Sequence, residues 1–456
     1  MQAGAHAGLL DSCRLRCVAP VSSGVVRVST AGCAIDFGTS NSSVALLGIA
    51  GSDAPREAFR LVALEHTHTA IPTAVFFSGE DGSRAFGRAA VQAHVEGHEG
   101  RLMRSIKSIL GSDLIDRTTE VGPGFMVKYL DVVVAFLRHL RQRAAQAAGE
   151  PVDRVVIGRP VFFVDDDPAR DAQAERTLAA AARSAGFSDV AFQFEPIAAA
   201  LDFERTVSRE TLVLVADIGG GTSDFSVVRV GPKQRMRVDR NADVLANHGV
   251  HVAGTDFDRE VNLAAIMPLL GLGSEGRSES GASIRVPNAI YHALSTWHLI
   301  NTVYLPNRLI ELRQMASLYV DQRMHRRLTT VLECRLGHSL AAMAEATKID
   351  VSMRGSAVID LSMVEDALAG SFDAARQQAT LADSIGRIAG AARQAIEQAG
   401  LSPSQIDALY FTGGSTALAS LARAIAAVVP DAAQVDGDRF TSVVSGLAVD
   451  ASRRFG

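Results

Sequence analysis

One pattern occurs twice in this chain and limits the folds it can adopt: a buried strand, an aspartate, a glycine-rich turn and a returning strand. The first copy reads Ile35-Asp36-Phe37-Gly38-Thr39-Ser40-Asn41-Ser42, and the second reads Asp217-Ile218-Gly219-Gly220-Gly221-Thr222-Ser223-Asp224. Apolar residues precede the aspartate and follow the turn in both copies, as in a β-hairpin. The two aspartates are 181 positions apart (217 minus 36), which predicts an internal duplication of a domain-sized unit.

The residue types in the two turns suit phosphate binding. Glycine lacks a Cβ atom, so backbone N–H groups can approach phosphate oxygens, and the hydroxyls of Thr39, Ser40 and Thr222 add donors. Asp36 and Asp217 stand where a hydrated Mg²⁺ between the phosphates requires carboxylates. A single hairpin of this kind is more often an ordinary tight turn. Two matching copies favour a clamp that holds the triphosphate of ATP from both sides.

A third glycine turn follows a strand near the C-terminal end. Ala408-Leu409-Tyr410-Phe411 predicts the strand, Thr412-Gly413-Gly414-Ser415-Thr416 the turn, and Leu418 to Val429 an apolar, alanine-rich helix. Backbone N–H groups at such a turn can bind phosphate or ribose. The same joint also occurs where only packing requires it, so this element supports the clamp without establishing it.

Length and composition exclude several classes of protein. A chain of 456 residues exceeds one hydrophobic core and predicts two or three domain-sized units. The net charge of -5 and the aromatic content of 5% give no reason to expect a nucleic-acid partner. No run of ~20 apolar residues predicts a membrane span, and four cysteines without a paired framework indicate a reducing compartment. We therefore expect a cytoplasmic protein that binds neither nucleic acid nor membrane.

Residues 1–33 differ from the rest, because they lack a sustained apolar stretch. We expect a disordered N-terminal extension or an over-long reading of the start, with a cleaved targeting peptide as the alternative. Three pairs of residues could ligate a metal: Cys13 with Cys17, His66 with His68, and His248 with His251. None of these pairs has a third ligand nearby in the sequence, so a metal site at any of them is an unfavoured alternative.

Together these motifs resemble the nucleotide-binding domain of DnaK-type, seventy-kilodalton heat-shock chaperones, within the actin and sugar-kinase superfamily. The resemblance extends from about Cys33 to the C-terminus and includes Phe194-Glu195-Pro196-Ile197-Ala198-Ala199-Ala200-Leu201. Gly158-Arg159-Pro160 and Pro287-Asn288-Ala289-Ile290-Tyr291-His292 look most like the YegD-like branch. The resemblance implies an α/β fold of the actin-like ATPase type. This fold has two lobes, each built on a mixed sheet flanked by helices, and the nucleotide lies in the cleft between them.

The order of the hairpins places the lobes along the chain. We expect lobe I at residues 34–208 and 436–456, lobe II at residues 209–435, and an insertion around 262–330. Shorter predictions within these lobes are a buried strand at Val155-Val156-Ile157, a helix from Pro168 to near Gly186, a loop from Gly271 to Gly281, and helical character from Tyr291 to Tyr304 around the single Trp297.

The resemblance also implies roles for individual residues. Lys107 matches the family's catalytic lysine, Glu195 matches an acid that helps to bind water or Mg²⁺, and Asp224 matches a group near the attacking water. The residues expected to act in catalysis are Lys107, Glu195, Asp217 and Thr222, and those expected to hold Mg²⁺, largely through water, are Asp36, Asp217 and Glu195. The residues expected to bind ATP or ADP are Gly38, Thr39, Ser40, Asn41, Gly219, Gly220, Gly221, Thr222, Gly254, Glu345, Lys348, Ser352, Gly413, Gly414 and Ser415.

Three positions depart from the family pattern. Ile349 and Ala417 replace two arginines of typical members, of which the first stacks on adenine, and Ala253 stands where a glycine is usual. A binding site for the adenine base that lacks those two cations is more apolar, so we expect adenine to bind more weakly. Only 40 residues follow the turn that ends at Thr416 (456 minus 416), so a β-rich peptide-binding domain is not expected.

These observations predict an ATP-binding, chaperone-like molecular switch with slow Mg²⁺-dependent hydrolysis. Its partners would be protein clients or co-chaperones, which the sequence does not identify. Two alternatives of other kinds stay open: a small-molecule kinase of the same superfamily, and a filament-forming actin-like ATPase. The kinase would need a base near the γ-phosphate, which we do not find in the sequence. Light scattering that rises with concentration in the presence of ATP would distinguish the filament.

Overall fold

The computed structural model describes residues 31–48, 59–122, 124–164, 167–278, 281–435 and 441–455. The predictions for residues 1–30, including the pair Cys13 and Cys17, lie outside these ranges.

The described strands are β1 Gly32–Phe37, β2 Asn41–Leu47, β3 Phe59–Leu61, β4 Ala70–Pro72, β5 Ala74–Ser78, β6 Arg84–Phe86, β7 Gly100–Arg104, β8 Thr118–Gly122, β9 Phe125–Lys128, β10 Arg154–Arg159, β11 Asp189–Phe194, β12 Thr211–Ile218, β13 Ser223–Val230, β14 Val244–Val250, β15 Glu275–Arg277, β16 Ser283–Arg285, β17 Ser356–Asp360, β18 Ala369–Asp373, β19 Ala408–Thr412 and β20 Ala433–Val435. The described α-helices are α1 Gly87–Val95, α2 Tyr129–Ala148, α3 Pro168–Ala185, α4 Glu195–Glu204, α5 Gly254–Val261, α6 Ala289–Ser295, α7 Pro306–Gln314, α8 Gln322–Glu333, α9 Gly337–Arg354, α10 Ala374–Gln398, α11 Ala419–Ala426 and α12 Ser442–Phe455.

Two of the sheets share one strand order. Sheet one runs β11-β10-β1-β2-β3, with β4 also paired to β2, and sheet two runs β14-β13-β12-β19-β20. In each sheet the first three strands along the chain are antiparallel neighbours, and the last two run parallel to the first. The repeat in the sequence is therefore a repeat of the fold, as predicted.

Sheet one is buried on both faces, which explains the unbroken apolar run in β1. Cys33 and Ile35 face a core formed with α2 and α3, whereas Ala34 faces the opposite side, towards α4 and α12. Successive side chains of a strand point to opposite faces, and a strand covered on both sides needs apolar residues at every position. The predicted strand at Val155 to Ile157 is β10, which pairs parallel to β1.

Helices α4 and α12 cross between the two sheets and join them. Their apolar side chains form one core with Ala34 of sheet one and Val213 of sheet two. At the crossing Gly446 lies so close to the carbonyl of Ala198 that a Cβ atom on it would collide. Small residues thus let the two helices approach closely, and this holds the sheets in one arrangement.

The helix ends follow the signals in the sequence. Pro168 begins α3, the Asp167 carboxylate accepts a hydrogen bond from the Arg170 N–H at 3.0 Å, and Gly186 follows the last turn with φ 111°. This agrees with the predicted bounds, because proline suits the first helical position and glycine the left-handed conformation after the last. Helix α11 was predicted from Leu418 to Val429, and the structure shortens it to Ala419–Ala426.

One local prediction was wrong. The segment Gly271 to Gly281 is not entirely a loop, because β15 lies within it and pairs with β16; strands of three residues are too short to show alternation in the sequence. The pair His66 and His68 lies in a tight turn, in which His66 has φ 46°. The predicted helical segment around Trp297 is confirmed as α6 followed by a 3₁₀ helix, Trp297–Tyr304. None of the helices in the described ranges is long and apolar enough to cross a membrane.

Candidate functional site

The residues predicted for the site lie on three turns and two helices. They are placed on turn one (Gly38, Thr39, Ser40, Asn41), turn two (Gly219, Gly220, Gly221, Thr222), turn three (Gly413, Gly414, Ser415), the start of α5 (Gly254) and the middle of α9 (Glu345, Lys348, Ser352). Turn one follows β1, turn two follows β12 and turn three follows β19. Because β1 and β12 occupy the same place in their sheets, their turns are equivalent by the duplication.

Turns one and two touch each other. The Ser40 hydroxyl lies so close to Gly220 that a Cβ atom on this glycine would collide with it. Gly221 beside it has open space where a Cβ atom would lie. The contact brings the two hairpins together, and a side chain at position 220 would require Ser40 to move.

Turn two is held from behind by α5 and turn three. The N–H and the hydroxyl of Thr255 both donate to the Gly220 carbonyl, at 2.8 Å and 2.7 Å. The Gly219 carbonyl accepts from the Gly254 N–H at 3.2 Å and from the Ser415 hydroxyl at 2.7 Å. Within turn two the Gly219 N–H donates to the Thr222 carbonyl at 3.1 Å. These bonds fix the backbone of turn two.

Turn three depends on a glycine with a left-handed backbone. Gly413 has φ 82°, and a Cβ atom on it would collide with the Ile218 carbonyl at the end of β12. The preceding residue, Thr412, pairs in register with Asp217 across the parallel strands. Turn three therefore lies directly beside the carboxylate of turn two.

Sequence reasoning missed the residue that closes turn one. The Thr73 N–H donates to the Ser40 carbonyl at 2.8 Å, and its hydroxyl donates to the Gly38 carbonyl at 2.8 Å. The Ser42 hydroxyl lies 2.8 Å from the same oxygen of Thr73. Thr73 has no glycine-rich or acidic neighbours, so no local pattern marks it; only the pairing of β4 with β2 brings it to the turn.

A buried ion pair lies below the turns. Lys107 Nζ donates to Glu195 Oε1 at 2.6 Å, and the two residues are only 8% and 9% exposed. Lys107 is carried by the 3₁₀ helix Ile106–Ile109 and Glu195 begins α4. These groups are 88 positions apart in the sequence, and the fold brings the predicted lysine and glutamate into direct contact.

The carboxyl groups around this pair outnumber its cation. Burial, and then the charge of Glu195, raises the pKa of Asp36 to about 7. Burial, followed by Glu195 and Asp224, raises the pKa of Asp217 well above its usual value. Burial alone would lower the pKa of Lys107, but Glu195, Asp36 and Asp217 outweigh it and raise that pKa. One lysine thus faces three acids, with Asp224 beside Asp217, and the excess of carboxyl groups suits a divalent cation.

These residues fit a hydrated Mg²⁺ ion. The groups near one another are carboxylates, which are the oxygen ligands that Mg²⁺ prefers, and Asp36 and Asp217 are both partly open to the cleft. Within the described ranges no three His, Cys, Asp or Glu side chains are grouped so as to hold a metal ion by themselves. An ion held at these carboxylates would therefore keep most of its waters.

A small cavity adjoins the carboxylates and adds two polar residues that the sequence analysis did not include. Glu195, Asp217 and Asp224 line it together with Ser226 and Asn247. The Ser226 hydroxyl donates to Asn247 Oδ1 at 2.6 Å. Ser226 lies on β13 and Asn247 on β14, the two strands that follow turn two.

The expected nucleoside residues lie on α9, and one of them has a partner that was not predicted. Lys348 Nζ lies 2.7 Å from Asp258 Oδ1 on α5. Burial raises the pKa of Asp258 to about 6 despite this lysine. The Ser352 hydroxyl donates to the Lys348 carbonyl at 2.8 Å, and Ile349 between them is 45% exposed. The structure therefore joins α9 to α5, which also supports turn two.

Known proteins are similar to this chain over most of its length. A family model described as "Hsp70 protein" matches residues 32–265, just over half of the chain. The chain is 26% identical over 401 residues to a "Chaperone protein DnaK" of Thermus thermophilus, covering 84% of this chain and 54% of that protein. It is 25% identical over 388 residues to a "Chaperone protein DnaK" of Halobacterium salinarum, covering 84% and 49%. The chain thus spans about half the length of the curated relatives it matches.

Proposed function

Because this chain belongs to the Hsp70 family, with its actin-like ATPase fold, we propose that it binds Mg²⁺-ATP at the three turns and hydrolyses ATP slowly. The observation that carries the proposal is the buried pair of Lys107 and Glu195, which lies beside two duplicated Asp-Gly turns. A buried cation surrounded by carboxyl groups is costly for a fold that only needs stability. Such a group is more often found where chemistry requires it.

In this proposal the turns bind the phosphates. The N–H groups of turns one and two, with the hydroxyls of Thr39, Ser40 and Thr222, donate to phosphate oxygens. Turn three and α9 hold the nucleoside through Gly413, Gly414, Ser415, Glu345, Lys348 and Ser352. Lobe I would consist of residues 34–208 and 436–456 and lobe II of residues 209–435, so that the ligand lies between them.

The catalytic step needs a positioned water and a stabilised transition state. Bound Mg²⁺ would supply charge that neutralises the phosphate oxygens. Glu195 and Asp217 accept hydrogen bonds from the attacking water, and Thr222 lies on the turn next to this water. Lys107 offsets the negative charge of the phosphoryl group that is transferred. Glu195 holds the lysine in place when no substrate is bound.

The role of the hydrolysis is proposed from the relatives. Both are named as chaperone proteins, so we propose that the nucleotide state of this chain controls its binding to client proteins or co-chaperones. Closure of two lobes around a ligand is a known means of such control. The segments of the relatives that lie outside the matched half contribute activities that are not part of this proposal.

The test is a single-turnover hydrolysis assay on the purified chain with radiolabelled ATP. We expect slow release of inorganic phosphate, and we expect Lys107→Ala to abolish it while ATP still binds. The matched control is Arg170→Ala, whose exposed ion pair with Asp113 lies outside the site and whose rate should equal the wild type. Label that moves to a small-molecule acceptor would indicate a kinase instead. Hydrolysis that survives the loss of Lys107 would contradict the mechanism.

A further inference from the structure

Two contacts join elements on the side of sheet one to elements on the side of sheet two. The Arg104 guanidinium lies over the ring of Trp297, 4.5 Å from its centroid. The ring of His94 meets the ring of His338 edge-on, with centroids 4.5 Å apart. Trp297 also contacts His338, at 4.6 Å. We name Arg104, His94, Trp297 and His338 the bridging cluster.

The cluster joins elements of different lobes. Arg104 ends β7 and His94 lies on α1, and both elements pack with β5 on the side of sheet one. Trp297 begins a 3₁₀ helix whose Ile300 is fully buried, and His338 begins α9, whose buried Leu340 belongs to the core of sheet two. Trp297 belongs to the insertion around 262–330, so this contact is made by a segment that the duplicated hairpins do not contain.

Arg104 is also attached to the groups proposed to act on the phosphate. It pairs in register with Ala74 on β5, and the residue before Ala74 is Thr73, which closes turn one. On its other side Arg104 is three positions from Lys107. Ser105 between them has a left-handed backbone, φ 53°, which a residue other than glycine adopts only where its surroundings impose it.

The contact of Arg104 continues to the helix proposed to hold the nucleoside. Trp297, over which Arg104 lies, also contacts His338 near the start of α9. The charges of Glu345 on α9 and of Asp258 raise the pKa of Arg104, although burial outweighs them and lowers it. Asp258 in turn pairs with Lys348 of α9.

We propose that Arg104 is a positioning residue: its contact with Trp297 closes the cleft and, through β7 and Ser105, sets Lys107 against the phosphate. The inference rests on the proposed function and adds the residue that links closure to chemistry. A cation on an aromatic ring at an exposed site changes an equilibrium by about two- to fivefold. Loss of the contact should change nucleotide release and hydrolysis by factors of that size.

The experiment uses the full chain, Mg²⁺ and a fluorescent ATP analogue in stopped flow. In Arg104→Ala, nucleotide release should accelerate about two- to fivefold, and the single-turnover rate at saturating ATP should fall by up to about fivefold. Arg104→Lys should restore most of both, because it keeps a cation over the ring. Arg101→Ala is the matched control: it removes an arginine of the same strand whose guanidinium donates to the Glu120 carbonyl within lobe I, and it should behave as wild type.

A double-mutant cycle separates coupling from a general structural effect. Trp297→Leu should reproduce Arg104→Ala, and the double variant should be no worse than either single variant. Because Trp297 is the single tryptophan, its emission should change when Mg²⁺-ATP binds to wild type, and this change should be smaller in Arg104→Ala. Additive effects, or faster release with an unchanged hydrolysis rate, would overturn the link to Lys107. Wild type that neither binds nor hydrolyses ATP would instead overturn the proposed function.

Discussion

Replacing Lys107 by alanine tests whether the buried carboxyl groups depend on this cation. The lysine donates to Glu195 at 2.6 Å, and both residues are over nine-tenths buried. Removing one member of such a pair leaves an unpaired buried charge, which costs about 3–5 kcal/mol. In this site the carboxyl groups have another way to respond, because they can take up protons.

The cost of protonation sets how the loss depends on pH. Burial, and then the charge of Glu195, already raises the pKa of Asp36 to about 7, so protonation of this carboxyl becomes less costly as the pH falls from 8 to 6. We therefore expect Lys107→Ala to lower the free energy of unfolding by about 3–5 kcal/mol at pH 8 and by less at pH 6.

The assay is urea unfolding without nucleotide at both pH values. Arg170→Ala provides the control, because its partner Asp113 lies 2.6 Å away but the two side chains are 51% and 78% exposed. Exposed pairs contribute about 0–1 kcal/mol, so that loss should be small at both pH values. Adding Glu195→Gln to Lys107→Ala should recover much of the stability, because it removes the unpaired charge. A loss for Lys107→Ala below about 1 kcal/mol, or a larger loss at pH 6 than at pH 8, would refute the reasoning.

Three further predictions concern ligand and pH. Mg²⁺-ATP at about a hundred times its Kd should add ~2.7 kcal/mol of stability, and Asp217→Ala should remove most of the Mg²⁺ dependence; a thermal melt unmoved by millimolar Mg²⁺-ATP would contradict the clamp. Ile349→Arg should tighten adenine nucleotides by up to about tenfold, and calorimetry that finds weaker ATP binding would show that α9 is not at the base. Burial, with His94 and Arg104, lowers the pKa of His338 to about 4. In the unfolded chain this histidine takes up its proton near pH ~6.5, so the free energy of unfolding should decline as the pH falls from about 6.5 to about 4. The variant His338→Gln should show a smaller decline in unfolding measurements. An unchanged pH profile in this variant would show that His338 does not cause the decline.

Much of the fold could be predicted because its signals are local. The aspartate, the glycines and the hydroxyls of each hairpin lie within eight successive residues, and the strands on both sides are apolar. The signals for the ends of α3 are also local, because Pro168 stands at its first position and Gly186 directly after its last residue. One feature without such a signal was missed: β15 is only three residues long.

What the sequence determined by itself was the duplicated pair of hairpins, because glycine, acid and hydroxyl at fixed spacing leave few backbone conformations. What only the tertiary structure decided was the order of the strands around them and which distant groups meet. Thr73 reaches turn one through β4, and Lys107 meets Glu195 across 88 positions. Arg104 of β7 meets Trp297 of the 3₁₀ helix that follows α6. Such contacts depend on the direction in which whole elements pack, and no pattern within a few residues of Thr73, Lys107 or Arg104 carries that information.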